Sequence, residues 1–276
     1  MDVMKDIRYL QIDPMRIVAQ SQTLVLWSRI ELYDLANLDA LLWKERRLLE
    51  DWAQATSIVL TEDYSIFKAL KRSFAEGDSA WARKIRNWME KNREFSLYIL
   101  KELSSKGLLL SSQFEDRAVT NWSSSGWTAG RNIGMMLYLL KAQGKIMVAG
   151  RRGNTKLWDL TEHFLPKSTP KDELSDHEVA RRVTQLSLRA LGVARQKHIE
   201  RHFVRGCYQK LSEVLAELEA EERIIQVGIK EGKRSWKDTW YVHVDDVPML
   251  DWLEAGNWEP RTTLLSPFDN LISDRG

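Results

Sequence analysis

The chain has 276 residues, 43% of them hydrophobic, with 41 Lys and Arg against 39 Asp and Glu for a formal charge of +2. That allows one large or two to three small domains with proper cores and excludes a chain dominated by one sign of charge. The lone Cys207 excludes an intramolecular disulfide and a multi-cysteine zinc site. No apolar run approaches the roughly 18 to 20 residues of a bilayer span, and Asp2 and Asp6 interrupt the N-terminus where a secretory signal would be apolar, so a cytoplasmic protein with no membrane segment is expected.

In chain order, LQIDP (10–14) comes first. In an extended segment Gln11 and Asp13 point one way and Leu10 and Ile12 the other, a polar edge on a buried strand. Asp13 precedes Pro14, which suits an N-cap with proline at the first helical position, so a helix is expected from Pro14 to about Gln22. TLVLWSRI (23–30) reads as a buried strand, followed by a short helix near Leu38 to Trp43 and the stretch RRLLEDWAQATSIVL. Helices are expected around Asp63 to Phe74 and Ala80 to Lys91, the second basic at Arg83, Lys84, Arg86 and Lys91.

From Glu94 the pattern repeats. Phe95, Leu97, Ile99, Leu100 and Leu103 form a helical stripe that ends at Gly107. SSQFED (111–116) carries a capping-type start for a second helix, and Ala129 to Gln143 reads as a third. The strands KIMVAG and KLWDL then flank the basic turn RRGNT (151–155). After the linker PKSTPKDELSD (166–176) the order recurs: helices over Val179 to Leu191, Gln196 to Phe203 and Tyr208 to Glu221, then RIIQVGI and TWYVHV joined by KEGKRSWKD.

Three helices and a basic-tipped hairpin, in tandem, predict a mainly α fold with small β-hairpins (α+β) built of winged-helix modules. The modules fall at 1–93 (the first, incomplete), 94–168 and 176–246, with a C-terminal segment over 247–276. A winged helix puts its last helix in a DNA groove and its wing on the backbone. Double-stranded DNA is therefore the expected partner, through Arg151, Arg152 and Lys156 in one wing, Lys233 and Arg234 in the other, and Trp127 and Arg131 before the third helix of the middle module. The acidic end of CYQKLSEVLAELEAEE argues against base readout by the last module. His198 and His202 stand at helical i, i+4 spacing, but without an HExxH order or a nearby cysteine neither a metal nor a cofactor is expected.

Several stretches together, LQIDPMRIVAQ, LWSRIELYD, DWAQATSIVL, GKIMVAGRRGNTKLWDL, RALGV and LLSPFDNLISDR, resemble the AlkZ/YcaQ family of bacterial DNA glycosylases. The resemblance runs from end to end and is most specific at LQIDP and SPFDNLI. It implies three stacked winged-helix modules in a C-shaped body, acting as a monomer that releases alkylated purines, including crosslinked ones. The family signature of Gln, an apolar residue, then Asp or Gln falls on Gln11, Ile12 and Asp13. It implies that Asp13 activates the water and stabilises the oxocarbenium ion while Gln11 positions the water. It also implies DNA contacts at Arg29 and at Ser266, Asp269 and Asn270, a stretch whose residue pattern reads equally well as an Asx-capped turn.

The chemistry agrees with the residue types. Glycoside hydrolysis ordinarily uses two carboxyl groups, one of them to protonate the leaving group. An N7- or N3-alkylated purine already carries positive charge, so one carboxylate suffices. Family members usually carry His near Gln22 and Gln54, extend past SPFDNLI and begin with a further helix, so against them the chain is expected to be truncated at both ends. The alternatives are a non-catalytic winged-helix DNA-binding protein and a protein-interaction scaffold.

Overall fold

A computed structural model of the chain describes residues 1–13, 18–30, 33–72, 74–123, 131–204 and 207–272. The first unit contains α1 (Asp2–Ile7), β1 (Tyr9–Gln11), α2 (Ser21–Trp27) and α3 (Leu35–Asp39), which runs on as a π-turn over Ala40–Lys44. The hairpin β2 (Leu48–Trp52) and β3 (Thr56–Leu60) completes it, and α4 (Tyr64–Arg72) and α5 (Ala80–Lys91) lead onward. The second unit is α6 (Arg93–Lys106), β4 (Leu109–Leu110), α7 (Asn132–Ala142), β5 (Ile146–Arg152) and β6 (Thr155–Leu160), followed by the short α8 (Thr161–Phe164). The third is α9 (Asp176–Leu191), β7 (Val193–Ala194), α10 (Gln196–His202), α11 (Leu211–Ala220), β8 (Ile224–Val227), the extension β9 (Lys230–Glu231) and β10 (Arg234–Ser235), and β11 (Trp240–His243). Helix α12 (Val247–Glu254) comes last.

The three larger sheets share one topology. Their strand orders are β1-β3-β2, β4-β6-β5 and β7-β11-β8, so in each unit the early lone strand pairs antiparallel with the final strand of the hairpin. This is an α+β architecture with small antiparallel sheets, and the unit expected to be incomplete carries the same sheet order as the others. Each unit buries its own apolar cluster, on Leu10, Leu48 and Ile58 in the first, Ile99, Leu140 and Val148 in the second, and Leu188, Val214 and Ile224 in the third. A fourth cluster joins them, with Tyr9, Val59, Phe67, Met147, Phe164, Val183 and Phe203 drawn from all three.

Local physics explains where expectation and structure part. TLVLWSRI is mostly helix rather than strand: in α2 the buried residues are Ser21, Gln22, Val25 and Leu26, a helical spacing that a short apolar run conceals. The helix expected from Pro14 falls partly on residues 14–17, outside the described residues; residues 18–20 are not helical and α2 begins at Ser21. After SSQFED no helix forms among the described residues. Its place is taken by a short 3-10 turn, Ser111–Gln113, and an irregular stretch whose amides are satisfied by asparagines. Asn92 Oδ1 accepts from the Val119 and Thr120 N–H groups, and Asn132 Oδ1 from that of Trp122. Of the stripe expected on α6, Phe95, Ile99 and Leu103 are buried and Leu100 is half-buried, while Leu97 is exposed, off the i, i+4 face of the other three; Gly107 ends the helix at φ 72°.

Candidate functional site

In the first sheet Leu10 lies opposite Ile58 and Gln11 opposite Ser57, and the Ile12 N–H extends the ladder to the Thr56 carbonyl at 2.9 Å. Alternation sends Leu10 into the first unit's core and Tyr9 into the shared central core. Gln11 follows the Tyr9 face. The strand ends there, and Asp13 lines the same cleft as Ile12. The expected pair is thus separated: Asp13 borders the cleft, and Gln11, half-buried, is not among its lining residues.

The cleft has a volume of about 720 Å³, within the range of small-molecule and cofactor sites. Ile58 and Trp43 supply apolar wall. Polar groups come from Gln22 and Thr23 on α2, Asp39 at the end of α3, Glu50 on β2, and Arg151, Asn154 and Lys156 on the β5–β6 wing of the second unit. Gln22 is buried; its Nε2 donates to Gln20 Oε1 at 3.1 Å, and its Oε1 has no hydrogen-bond partner.

Glu50 and Arg151 fix the two units around the cleft. Glu50 is 1% exposed and accepts two hydrogen bonds from Arg151, Nε to Oε1 at 2.5 Å and Nη2 to Oε2 at 2.8 Å. The bond to Glu50 raises the Arg151 pKa, and burial lowers that of Lys156, with Glu50 partly opposing the shift. Of the cleft's carboxylates Glu50 is therefore already committed and Asp39 is exposed at the rim. The wing can make this approach because Gly153, at φ 58°, closes a two-residue turn that a side chain would strain.

Other predicted residues go elsewhere. Arg152, Lys233 and Arg234 are exposed on the wings and Arg131 is exposed ahead of α7. Trp127 lies outside the described residues. Arg29, Ser266, Asp269 and Asn270 form an internal clasp, a correction to the expectation that they face DNA. Arg29 Nη1 and Nη2 donate to Asp269 Oδ2 and Oδ1 at 2.7 Å each, the Ser21 and Ser266 hydroxyls are 2.7 Å apart, and Asn270 Nδ2 donates to the carbonyls of Ile7 and Tyr9 at 3.0 and 3.1 Å. Asp269 is fully buried. Burial alone would raise its pKa, but the Arg29 guanidinium and the Leu271 N–H outweigh this and hold it below the usual carboxylate range. These groups are thus engaged with one another and with the backbone of the first unit.

Gln54 is absent from the cleft lining; its Nε2 donates to the His202 carbonyl at 2.8 Å. His198 and His202 do not share a site. The first lies against Trp240 and Arg195, the second is buried edge-on to Tyr9 with neither ring nitrogen partnered, and burial pushes its pKa down to about 4. Among the described residues no group of three His, Cys, Asp or Glu side chains is placed to hold a metal ion, and no helix is long and apolar enough to cross a membrane. Glu50 was missed in the sequence; a carboxylate inside LLEDW was its only signal, and that shows once the stretch is read as a strand.

Two comparisons bear on this site. The family model described as DNA glycosylase AlkZ-like matches residues 4–276. The structure of the Streptomyces sahachiroi DNA glycosylase AlkZ aligns with a TM-score of 0.65 at 17% identity, covering 99% of this chain and 70% of that one. At that identity the likeness speaks for the fold alone.

Proposed function

The chain belongs to the AlkZ-like family of DNA glycosylases, and from that premise we propose that it hydrolyses the N-glycosidic bond of N7- or N3-alkylated purines in duplex DNA at the cleft lined by Asp13. The observation that carries this reading is that Asp13 and the second unit's wing border one cleft, so a carboxylate stands beside the element a winged helix lays on a DNA backbone.

The alkylated purine leaves with the bonding pair of its N-glycosidic bond, and its own positive charge is neutralised as it departs. Positive charge passes to the sugar, where the Asp13 carboxylate stabilises it. Water then adds to C1′ and gives its proton to Asp13, leaving a free base and an abasic site. Gln22, buried in the same cleft with Oε1 unpartnered, is better placed than Gln11 to hold that water, a role that family resemblance alone assigns to Gln11. A crosslinked purine is tethered to both strands and cannot leave the duplex. A cleft between two units, rather than a chamber within one, suits such a substrate.

The position of Gln11 outside the cleft lining favours one second reading, a winged-helix protein that binds duplex DNA without cutting it. Incubation with methylated duplex separates the two. Released 7-methylguanine and abasic sites are expected, whereas duplex binding with no abasic site would leave only the non-catalytic reading.

A further inference from the structure

A second basic surface lies away from the Asp13 cleft. Helix α5 turns Ala82, Ile85 and Trp88 into the second unit's side of the molecule, and the spacing of that face leaves Arg83, Lys84, Asn87 and Lys91 on the opposite, exposed one. These four line a groove of about 400 Å³ whose other wall is residues 120–123, and no carboxylate is among its lining residues. Among the described residues Arg83, Lys84 and Lys91 form no ion pair; the Arg83 and Lys84 side chains donate to the backbone carbonyls of Asp78 and Ser123.

The groove is a built feature. Ser79 caps α5 by accepting from the Ala82 N–H at 3.0 Å. Trp88 Nε1 and Asn92 Nδ2 both donate to the Thr120 carbonyl, at 2.8 and 3.1 Å, and fix the far wall. Trp122 packs edge-on against Trp88 at 5.4 Å, and the Lys84 ammonium lies 4.8 Å from the Trp122 ring centroid. Asn132, the first residue of α7, holds that wall from the other side through Trp122 and Asn121. The second unit thus has this groove at the start of α7 and, beyond its sheet, the wing at the Asp13 cleft.

We propose that this groove binds the sugar-phosphate backbone of duplex DNA outside the catalytic cleft, a deepening that rests on the reading of the chain as a duplex-binding glycosylase. The eight helical steps from Arg83 to Lys91 span about 12 Å along the helix, enough to meet about three phosphates of one strand spaced about 3.4 Å along the duplex axis. Single-stranded DNA is the poorer fit. Its usual platform is an exposed aromatic face, and Trp88 and Trp122 are each only 5% exposed.

The test measures the salt dependence of binding between the full chain and an undamaged duplex. Each phosphate contact contributes about 0.9 to the slope of log affinity against log salt, so replacing Arg83, Lys84 and Lys91 together by Gln is expected to lower the slope by about 2.7, and Lys91→Gln alone by about 0.9. A control with the same loss of charge, Lys106→Gln, Arg189→Gln and Lys210→Gln together, is expected to retain the wild-type slope. A triple variant that keeps the wild-type slope, a control that loses as much, or a loss confined to single strands overturns the groove assignment and leaves the glycosylase reading standing. A wild-type chain that binds no duplex at 50 mM salt (~50 mM, where electrostatic binding is strong) overturns both.

Discussion

Replacing Asp269 by Asn tests whether the SPFDN stretch is a clasp or a DNA contact. In the native fold the fully buried Asp269 carboxylate receives two 2.7 Å bonds from Arg29, whose side chain is 17% exposed. Breaking a buried pair from one side costs about 3–5 kcal/mol. The low end applies here, because Arg29 keeps its bonds to the Val25 carbonyl and the Ser28 hydroxyl. At about 2–4 °C per kcal/mol for a chain of this order of size, the melting temperature falls by about 6–12 °C if the clasp unfolds with the rest. If it detaches locally, proteolytic cleavage appears first in the exposed residues 255–264. Thermal melting and limited proteolysis at neutral pH read both outcomes. A variant that melts within about 1 °C of wild type and resists proteolysis equally would show that the clasp reasoning is wrong.

Two buried titrating groups give opposite pH slopes. Asp63, whose Oδ2 accepts no hydrogen bond, is pushed up to about 6 mainly by burial, against an ordinary value of 3.8. The folded state then holds its proton longer than the unfolded one, so stability falls as pH rises from about 4 to 6; at 1.36 kcal/mol per pH unit, Asp63→Asn gains about 3 kcal/mol at pH 8 and nothing near pH 4, and a gain equal at both values in thermal melts refutes this. His202, pushed down to about 4 from 6.5 by burial, loses stability as pH falls through that window; His202→Leu is expected to be about 3 kcal/mol better relative to wild type at pH 4 than at pH 8, and parallel curves would contradict it. Arg151→Met strands the buried Glu50 and is expected to cost about 3 kcal/mol, while Arg152→Met on the same wing changes stability by under about 0.5 kcal/mol; equal effects in denaturant melts count against the Glu50–Arg151 tie.

Long periodic elements were legible in the residues alone. The α6 stripe with its Gly107 stop, helix α9, and the two later hairpins with basic tips are set by local pattern, and their order is enough to suggest repeated winged helices. What escaped depended on partners distant in sequence. Val25 and Leu26 read as strand because an apolar run of that length has no decisive period. The irregular stretch after SSQFED depends on Asn92 and Asn132, 27 residues and 10 residues from the amides they satisfy. The clasp joins Arg29 to Asp269 across 240 positions, so the residue pattern showed only the local Asx-type turn, in which the Leu271 N–H donates to Asp269, and not the partner it reaches. At the site, the sequence singled out Asp13 but paired it with Gln11, because alternation was carried two residues past the end of the strand at Gln11. Glu50 went unseen since its partner, Arg151, stands on another unit 101 residues away.

The most direct test of the proposed activity is single-turnover release of 7-methylguanine from methylated duplex by the wild-type chain and by Asp13→Asn, with duplex affinity measured beside it. Loss of the carboxylate that stabilises the sugar cation and accepts the proton of water is expected to slow release by about 10²- to 10⁴-fold while duplex affinity stays within about twofold of wild type. Release by Asp13→Asn within about threefold of wild type would contradict the assignment of Asp13 as the catalytic group.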